Sequence, residues 1–361
     1  MKRIRMTAMA ALSLSLMMVW GCSSIGTHTV VNDRFDYTGA ISDSWKQQML
    51  INIVKLRYGD APVFLDVASV INQYSVESQM DLRLSWADPI VSAVTNSQST
   101  GGTVRYTDRP TITYTPLSGE KFARSLMKPL PPTAILSLIQ GGYPIDLVLR
   151  LCVHSINGVQ NRYGGSARMR LADPEFYPLL ERLRRVQGSG AIGLRVQKTS
   201  EMEGVLMRFT GKVEAPVQED INAIRNTLGL DLSADEFKIV YGSIAQSDKE
   251  LALLTRSVLE ILVDLASCIE VPMSHVEEKR VNPTMPEESG SDGPVPALIR
   301  ILSSSGKPGE AFISVPYRNH WFWIDDRDLR SKSLFTFLMF IFSLTETGGK
   351  EGAPIITVST G

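Results

Sequence analysis

Three cysteines, four histidines and no long uninterrupted apolar run are the scarcities that first shape a reading of this 361-residue chain. Cys22, Cys152 and Cys268 lie too far apart for the paired spacing of a zinc site. His28, His154, His275 and His320 include no H-E-x-x-H, the spacing that sets two imidazoles on one helical face. No G-x-S-x-G nucleophile elbow occurs, since Gly164-Gly165-Ser166 lacks the closing glycine. Lys and Arg number 37 against 38 Asp and Glu, so the basic footprint of a nucleic-acid binder is missing. The apolar runs Met6–Val19 and Leu334–Leu344 fall short of the ~20 residues a membrane-spanning helix needs. No fixed-period repeat is present. These absences leave no cofactor, no metal and no catalytic residue to expect.

What is present begins at the N-terminus. Lys2, Arg3 and Arg5 precede an apolar run diluted by Thr7, Ser13 and Ser15, the layout of a secretory signal that would be removed. Its removal leaves 34 basic against 38 acidic residues, a net charge of minus four. The remaining length exceeds the ~250–300 residues at which one core stops growing, which predicts two lobes. Export places Cys152 and Cys268 in an oxidising compartment, where a disulfide and two separate core thiols are both compatible with their apolar surroundings.

The stretch Val19-Trp20-Gly21-Cys22 resembles the lipobox of bacterial lipoproteins, with Trp20 standing where a small residue is usual. The resemblance covers the leader and implies that Cys22 is the lipidation site, acylated after cleavage. Several acyl chains, at about 0.8 kcal/mol per buried methylene, make such anchoring effectively permanent. Ser23, where an aspartate would resemble an inner-membrane retention signal, implies sorting to the outer membrane. As a whole the chain is similar to outer-membrane lipoproteins of unknown role. The implied partners are the membrane, through the acyl chains on Cys22, and an envelope protein, with the periplasmic face as the location. The alternative function is a lipid-anchored hydrolase acting on envelope polymers.

The pattern along the chain predicts an α+β fold with a largely antiparallel sheet and packed helices. Residues 1–21 read as signal peptide and 22–37 as lipidated cysteine and tether. Residues 38–280 read as the main domain, 281–296 as a Pro-rich linker or loop, and 297–361 as a small C-terminal subdomain. A helix is expected over Thr38–Tyr58 from Ile41, Trp45, Met49, Leu50, Ile53 and Val54. From Val70 to Trp86 the period becomes two, with Tyr74, Val76, Met80, Leu82 and Leu84 on one parity and Glu77, Gln79, Asp81 and Arg83 on the other. Val104–Tyr114 repeats that period, broken at Arg109-Pro110, and Ala87–Gly102 reads as the connecting loop. A solvated face or edge of this pair is a candidate dock for another chain.

Residues 119–151 read as short helices, and Asp173-Pro174-Glu175 as a helix start with an N-cap. Strands are expected at Ile192–Val196, Val205–Phe209 and Phe237–Tyr241, with a helix at Pro216–Leu228. Ser247-Asp248-Lys249-Glu250 has the form of a capping box opening a buried helix through Leu251, Leu254, Val258, Ile261 and Leu265. Beyond the Pro-rich segment, strands are expected at Ala297–Leu302, Ala311–Val315, His320–Ile324 and Ile355–Val358, with a helix at Asp326–Leu344.

Some features invite a site assignment. Gly188-Ser189-Gly190-Ala191-Ile192-Gly193 is a literal G-x-G-x-x-G, but a helix precedes it and a strand follows, the reverse of a dinucleotide site. The glycines therefore read as a helix end and turn. Arg182, Arg184 and Arg185 read as a solvated face. Asp325, Asp326 and Asp328 stand where a strand hands over to a helix, where acids cap orphan amides. A hydrolase would draw on Asp325, Asp326 and His320. Trp321 and Trp323 would suit sugar stacking, although alternation in a short strand is expected to bury at least one.

Overall fold

The computed structural model describes residues 25–71, 74–84, 98–108, 111–165, 168–198, 203–209, 213–290 and 293–345. It is the expected α+β arrangement, with short and mostly antiparallel sheets clad by helices. Helix α1 (Ile25–Arg57) buries Met49, Leu50, Ile53 and Val54, and Gly59, at φ 74°, turns the chain after it. Residues 25–37 of the stretch read as a tether, His28 included, are thus helical in backbone. Once the C-terminal turns of a helix are packed, each added residue gains a hydrogen bond without a new nucleus. Polarity alone does not mark a helix end.

The next four strands form a two-stranded ribbon: β1 (Phe64–Ile71), β2 (Tyr74–Leu84), β3 (Gln98–Asp108) and β4 (Thr111–Leu117). β1 pairs antiparallel with β4, and β2 with β3. Of the strand expected over Val70–Trp86, the described residues are extended, with Ile71 paired to Thr111 at the end of β1 and Tyr74 paired to Asp108 at the start of β2. Gln98–Gly102, read as loop, is strand, whereas Trp86 and the rest of that loop lie outside the described residues. Serine, threonine and glycine hid the strand, since its period shows only where the other strand supplies the apolar residues.

Helices α2 (Glu120–Met127), α3 (Pro132–Gln140) and α4 (Ile145–Cys152) follow, punctuated by prolines as expected. Then come β5 (Val153–Ile156), β6 (Val159–Gln160), β7 (Tyr163–Gly165), β8 (Arg168–Arg170) and α5 (Phe176–Gly188). Asp173 does not cap α5. Its carboxylate accepts instead from the Gln160 amide at 2.7 Å and from Arg170 at 2.6 Å, finishing the edge beside β6. The α5 end bears out the reversed glycine motif: Gly190 turns at φ 75°, and β9 (Ile192–Lys198) runs away from it.

β10 (Glu203–Phe209), α6 (Ala215–Leu228), β11 (Glu236–Tyr241) and β12 (Glu250–Thr255) complete a sheet of order β6-β5-β12-β11-β10-β9, in which only β11 and β12 run parallel. Its inner face packs on α3 to α6 through residues such as Leu136, Leu149, Leu183 and Leu228. Arg185 of α5 holds Asp220 of α6 with two bonds of 2.7 Å, which accounts for part of the arginine cluster. β12 overturns the helix expected from Leu251. A central strand buried on both faces is continuously apolar, and periodicity does not separate it from a buried helix. The helix that does form, α7 (Val258–Ser267), starts later, on a capping box made by Ser257 and Glu260.

The Pro-rich segment is packed. After α8 (Met273–Glu277), Val281 and Met285 are buried, and the Thr284 hydroxyl donates to the Ile269 carbonyl at 2.8 Å. The segment then forms a small hairpin, β13 (Glu288–Gly290) and β14 (Gly293–Val295), and Arg150 donates to the Pro296 carbonyl at 2.7 Å. Prolines among Glu, Ser, Gly and Asp suggested a linker or loop, but side chains from the body hold it, Arg57 donating to the Asn282 carbonyl at 2.8 Å and Arg150 to that of Pro296. β15 (Leu302–Ser304), β16 (Ala311–Tyr317) and β17 (His320–Asp325) make a sheet of order β15-β17-β16. The strand expected at Ala297–Leu302 therefore begins only at its last residue. Helix α9 (Leu329–Thr345) follows, its Phe342 ring stacked 4.7 Å from Phe64 of the ribbon. The strand expected at Ile355–Val358 lies outside the described residues. One continuous buried cluster, from Met49 to Phe342, includes residues from both sides of segment 281–296.

Candidate functional site

Cys22 lies outside the described residues. The other sequence candidates can be placed. His320 and Asp325 stand at opposite ends of β17, a separation of about 17 Å at ~3.3 Å per residue, so the candidate hydrolase trio does not converge. The acids are paired locally. Asp325 bonds Arg327, which holds its carboxyl below the usual range, and Asp326 receives Lys332 at 2.6 Å. Asp328 caps α9, accepting from the Ser331 amide at 3.0 Å and its hydroxyl at 2.7 Å. Trp321 and Trp323 are both half-buried, against expectation: they share a parity, and Phe322 and Ile324 take the core side of the strand.

His275 and His320 do come together, with ring centroids 4.8 Å apart. His275 Nδ1 already meets the Tyr58 hydroxyl at 2.8 Å. Burial, then the neighbouring His320 and Arg280, push the imidazole below its ordinary pKa. Tyr317 bonds Asp60, and Arg318 reaches the same carboxylate at 3.3 Å while lying 5.1 Å from the Tyr58 ring. This cluster locks the end of α1 to the β16–β17 turn, where Arg318 and Asn319 take positive φ of 47° and 66°. Among the described residues no group of His, Cys, Asp and Glu is arranged to hold a metal. Cys152 and Cys268 are both free thiols.

A polar cleft of about 480 Å³ opens beside His154, with Gln160, Tyr163, Arg170 and Tyr241 in its walls. His154 Nε2 lies 3.2 Å from Glu260 Oε1, an imidazole oriented by a carboxylate as a general base would be. Glu260 is committed elsewhere, however, accepting from the Ser257 amide at 2.7 Å and its hydroxyl at 2.9 Å to close the capping box. The His154 bond, partly opposed by burial, and then the Ser257 bonds lower the Glu260 pKa to about 2. A depressed carboxyl contributes stability that is present above its unfolded value, ~4.3, and lost as pH falls through the folded value. Between about pH 4.3 and 2 the chain should therefore lose about 1 kcal/mol through this group, discounted because 38% of its side chain is exposed. Urea titrations at pH 6 and pH 3 should show this loss, and Glu260→Gln should remove that part of the pH dependence.

A buried charged cluster escaped sequence reasoning altogether. Asp264 of α7 is 3% exposed and lies between Arg256, fully buried, and Arg162, 5% exposed. Its oxygens lie 3.2 Å from Arg256 Nη1 and 3.4 Å from Arg162 Nε, and accept from the Gly164 amide at 2.9 Å. Arg162 also reaches the Cys268 sulfur at 2.8 Å. The node joins the ends of β7 and β12 to α7. An acid inside the apolar run Ile261-Leu262-Val263-Asp264-Leu265 was the available signal, since a lone carboxylate on a buried helix must meet a cation.

The ribbon stem is the other built feature. Gln48 and Asn52, one helical turn apart on α1, make two bonds each to the backbone of Leu65 in β1 and of Val63 just before it. Gln48 takes the Leu65 amide at 2.6 Å and gives to its carbonyl at 3.0 Å; Asn52 takes the Val63 amide at 2.9 Å and gives to its carbonyl at 2.7 Å. The period of the helix meets the period of the strand, and the edge is closed by side chains. Around this clamp Val63, Leu65, Ile112 and Tyr114 are exposed. Near the stem, Leu56, Pro62, Leu126, Met127 and Leu259 help to line a second cleft of about 480 Å³. Comparison with protein-family models, curated proteins and solved structures finds no match for this chain.

Proposed function

We propose that this chain is a non-catalytic, lipid-anchored lipoprotein of the bacterial envelope, held to the outer membrane through Cys22, periplasm-facing, and acting by docking a protein partner. The ribbon carries the reading. A two-stranded sheet is marginal alone in water, and this one is clamped at its stem by Gln48 and Asn52 with large apolar side chains left exposed around it. Scattered apolar side chains on a surface are ordinary, but a group of them beside a projecting strand pair suits a docking surface. The anchor rests on the leader, because no helix among the described residues is long and apolar enough to cross a membrane.

Cys22→Ser should lose incorporation of a fatty-acid analogue and leave the membrane fraction, while crosslinks formed through the ribbon on the wild-type chain should involve one stoichiometric protein. A wild-type chain without label would overturn the anchor. A labelled chain that crosslinks to nothing and turns over glycans or muropeptides would overturn the docking role in favour of a hydrolase.

A further inference from the structure

We infer that several copies of this chain bring their β2–β3 ribbons together edge to edge and close them into a bilayer-spanning β-barrel. The inference rests on the membrane-anchored reading above and names the partner as further copies of the same chain.

The register carries it. In an antiparallel pair, directly opposed residues share a face. Tyr74, Val76, Met80, Leu82 and Leu84 of β2 share theirs with Val104 and Tyr106 of β3, a face that also holds the uncharged Ser78, Gln98, Thr100 and Gly102. Glu77, Asp81, Arg83 and Arg105 all fall on the opposite face, with Glu77 directly across from Arg105. Asp108 is the one charge on the apolar face, and it pairs with Tyr74 at the stem end. A ribbon wetted on both sides has no reason to sort its charges this way. Among the described residues β2 and β3 pack extensively only on each other.

The dimensions agree with a bilayer. Each strand has 11 residues, and a tilted transmembrane strand needs about 9–11. The ten steps from Tyr74 to Leu84 at ~3.3 Å, tilted by ~40°, give an apolar band of about 25 Å, the height found in outer-membrane barrels. Tyr74 and Tyr106 lie close together at the stem end, where an aromatic girdle belongs. A single ribbon cannot enter hydrocarbon, because both of its outer edges leave backbone N–H and C=O groups unpaired. Identical ribbons provide identical edges, and a head-to-tail contact whose rotation closes produces a ring. As the smallest such barrels have about eight strands, at least four copies are required. The apolar parity then faces lipid and the charged parity lines the lumen.

The test uses the full-length acylated chain, extracted from membranes and reconstituted in planar lipid bilayers, alongside Leu82→Arg and Gln79→Arg. The two variants carry the same new charge at neighbouring depths on opposite faces. The wild type should form an oligomer of four or more copies with stepwise ion conductance. Gln79→Arg should retain it, and Leu82→Arg should lose inserted oligomer on the order of a hundredfold, as expected for a charge facing lipid near mid-bilayer. Circular dichroism and fatty-acid labelling of Leu82→Arg should match the wild type, which separates insertion from folding. A labelled wild type that stays monomeric or dimeric without conductance overturns the barrel and leaves the anchor standing. So does capture of a different protein on the ribbon, or equal loss in both variants. An unlabelled chain that still conducts overturns the anchor and leaves the barrel standing.

Discussion

Asp264→Ala should destabilise the chain by about 3–5 kcal/mol, the cost of removing one partner from a buried ion pair and leaving the other without compensation. The expectation follows from the arrangement in the core. Asp264 is the single carboxylate between two buried guanidiniums, and its removal also orphans the Gly164 amide. Asp264→Asn separates the two contributions. The amide oxygen can still accept from Gly164, whereas the charge that offsets Arg162 and Arg256 is gone, so this variant should recover only a minor part of the loss. Urea denaturation should show a lower midpoint at an unchanged slope for both variants. A shift worth less than 1 kcal/mol in Asp264→Ala would mean that the guanidiniums are solvated in the native state. Replacing all three charged residues by apolar ones of similar volume should cost far less than the single change, since a buried ion network adds little over well-packed hydrophobic groups.

The contrast between that node and the rest of the chain shows where sequence is informative. Apolar periodicity found α1 at the helical period and the β2 strand at period two. Local chemistry found the α5 end, where the glycines read as a helix end and turn, and the acids at the start of α9, where Asp328 is the cap. The period failed where burial is complete. β12 and the start of α7 form one apolar stretch, and two serine–glutamate pairs spaced alike compete to open the helix. Ser257 and Glu260 win because the preceding residues, Leu251 to Thr255, are needed as the central strand between β5 and β11. Tertiary pairing decided what a local rule left ambiguous. The same holds for Asp173, a good N-cap by type that is used by Gln160 and Arg170 instead. The Arg162–Asp264–Arg256 node unites Arg162 with residues about a hundred positions further on, and the Gln48 and Asn52 clamp joins a helix to a strand edge. Neither has any sequence spacing to read.

Asn52→Ala should cost about 2–3 kcal/mol and act first on the ribbon. Asn52 is fully buried, and its amide answers both the N–H and the C=O of Val63. Alanine leaves a cavity and two backbone groups without their partner, and unmet groups of this kind cost about 1–3 kcal/mol each where water does not reach them. Val63 is itself half-exposed, which brings the total to the lower part of that sum. Gln48→Ala should cost less, as its side chain is only half-buried. The two losses should not add, since both clamps hold the same strand edge and the first removal already frees it. Hydrogen exchange locates the effect. In Asn52→Ala the amides of Val63 and Leu65 should exchange much faster, while those of Ala252 and Leu253 in the central strand should keep their relative protection, as local opening of a weakly held unit requires. Uniform loss of protection across both regions would show that the stem is part of the global folding unit. Retention of Val63 protection would show that the ribbon is held by the Phe64–Phe342 stacking alone, and that the two α1 amides only follow the strand.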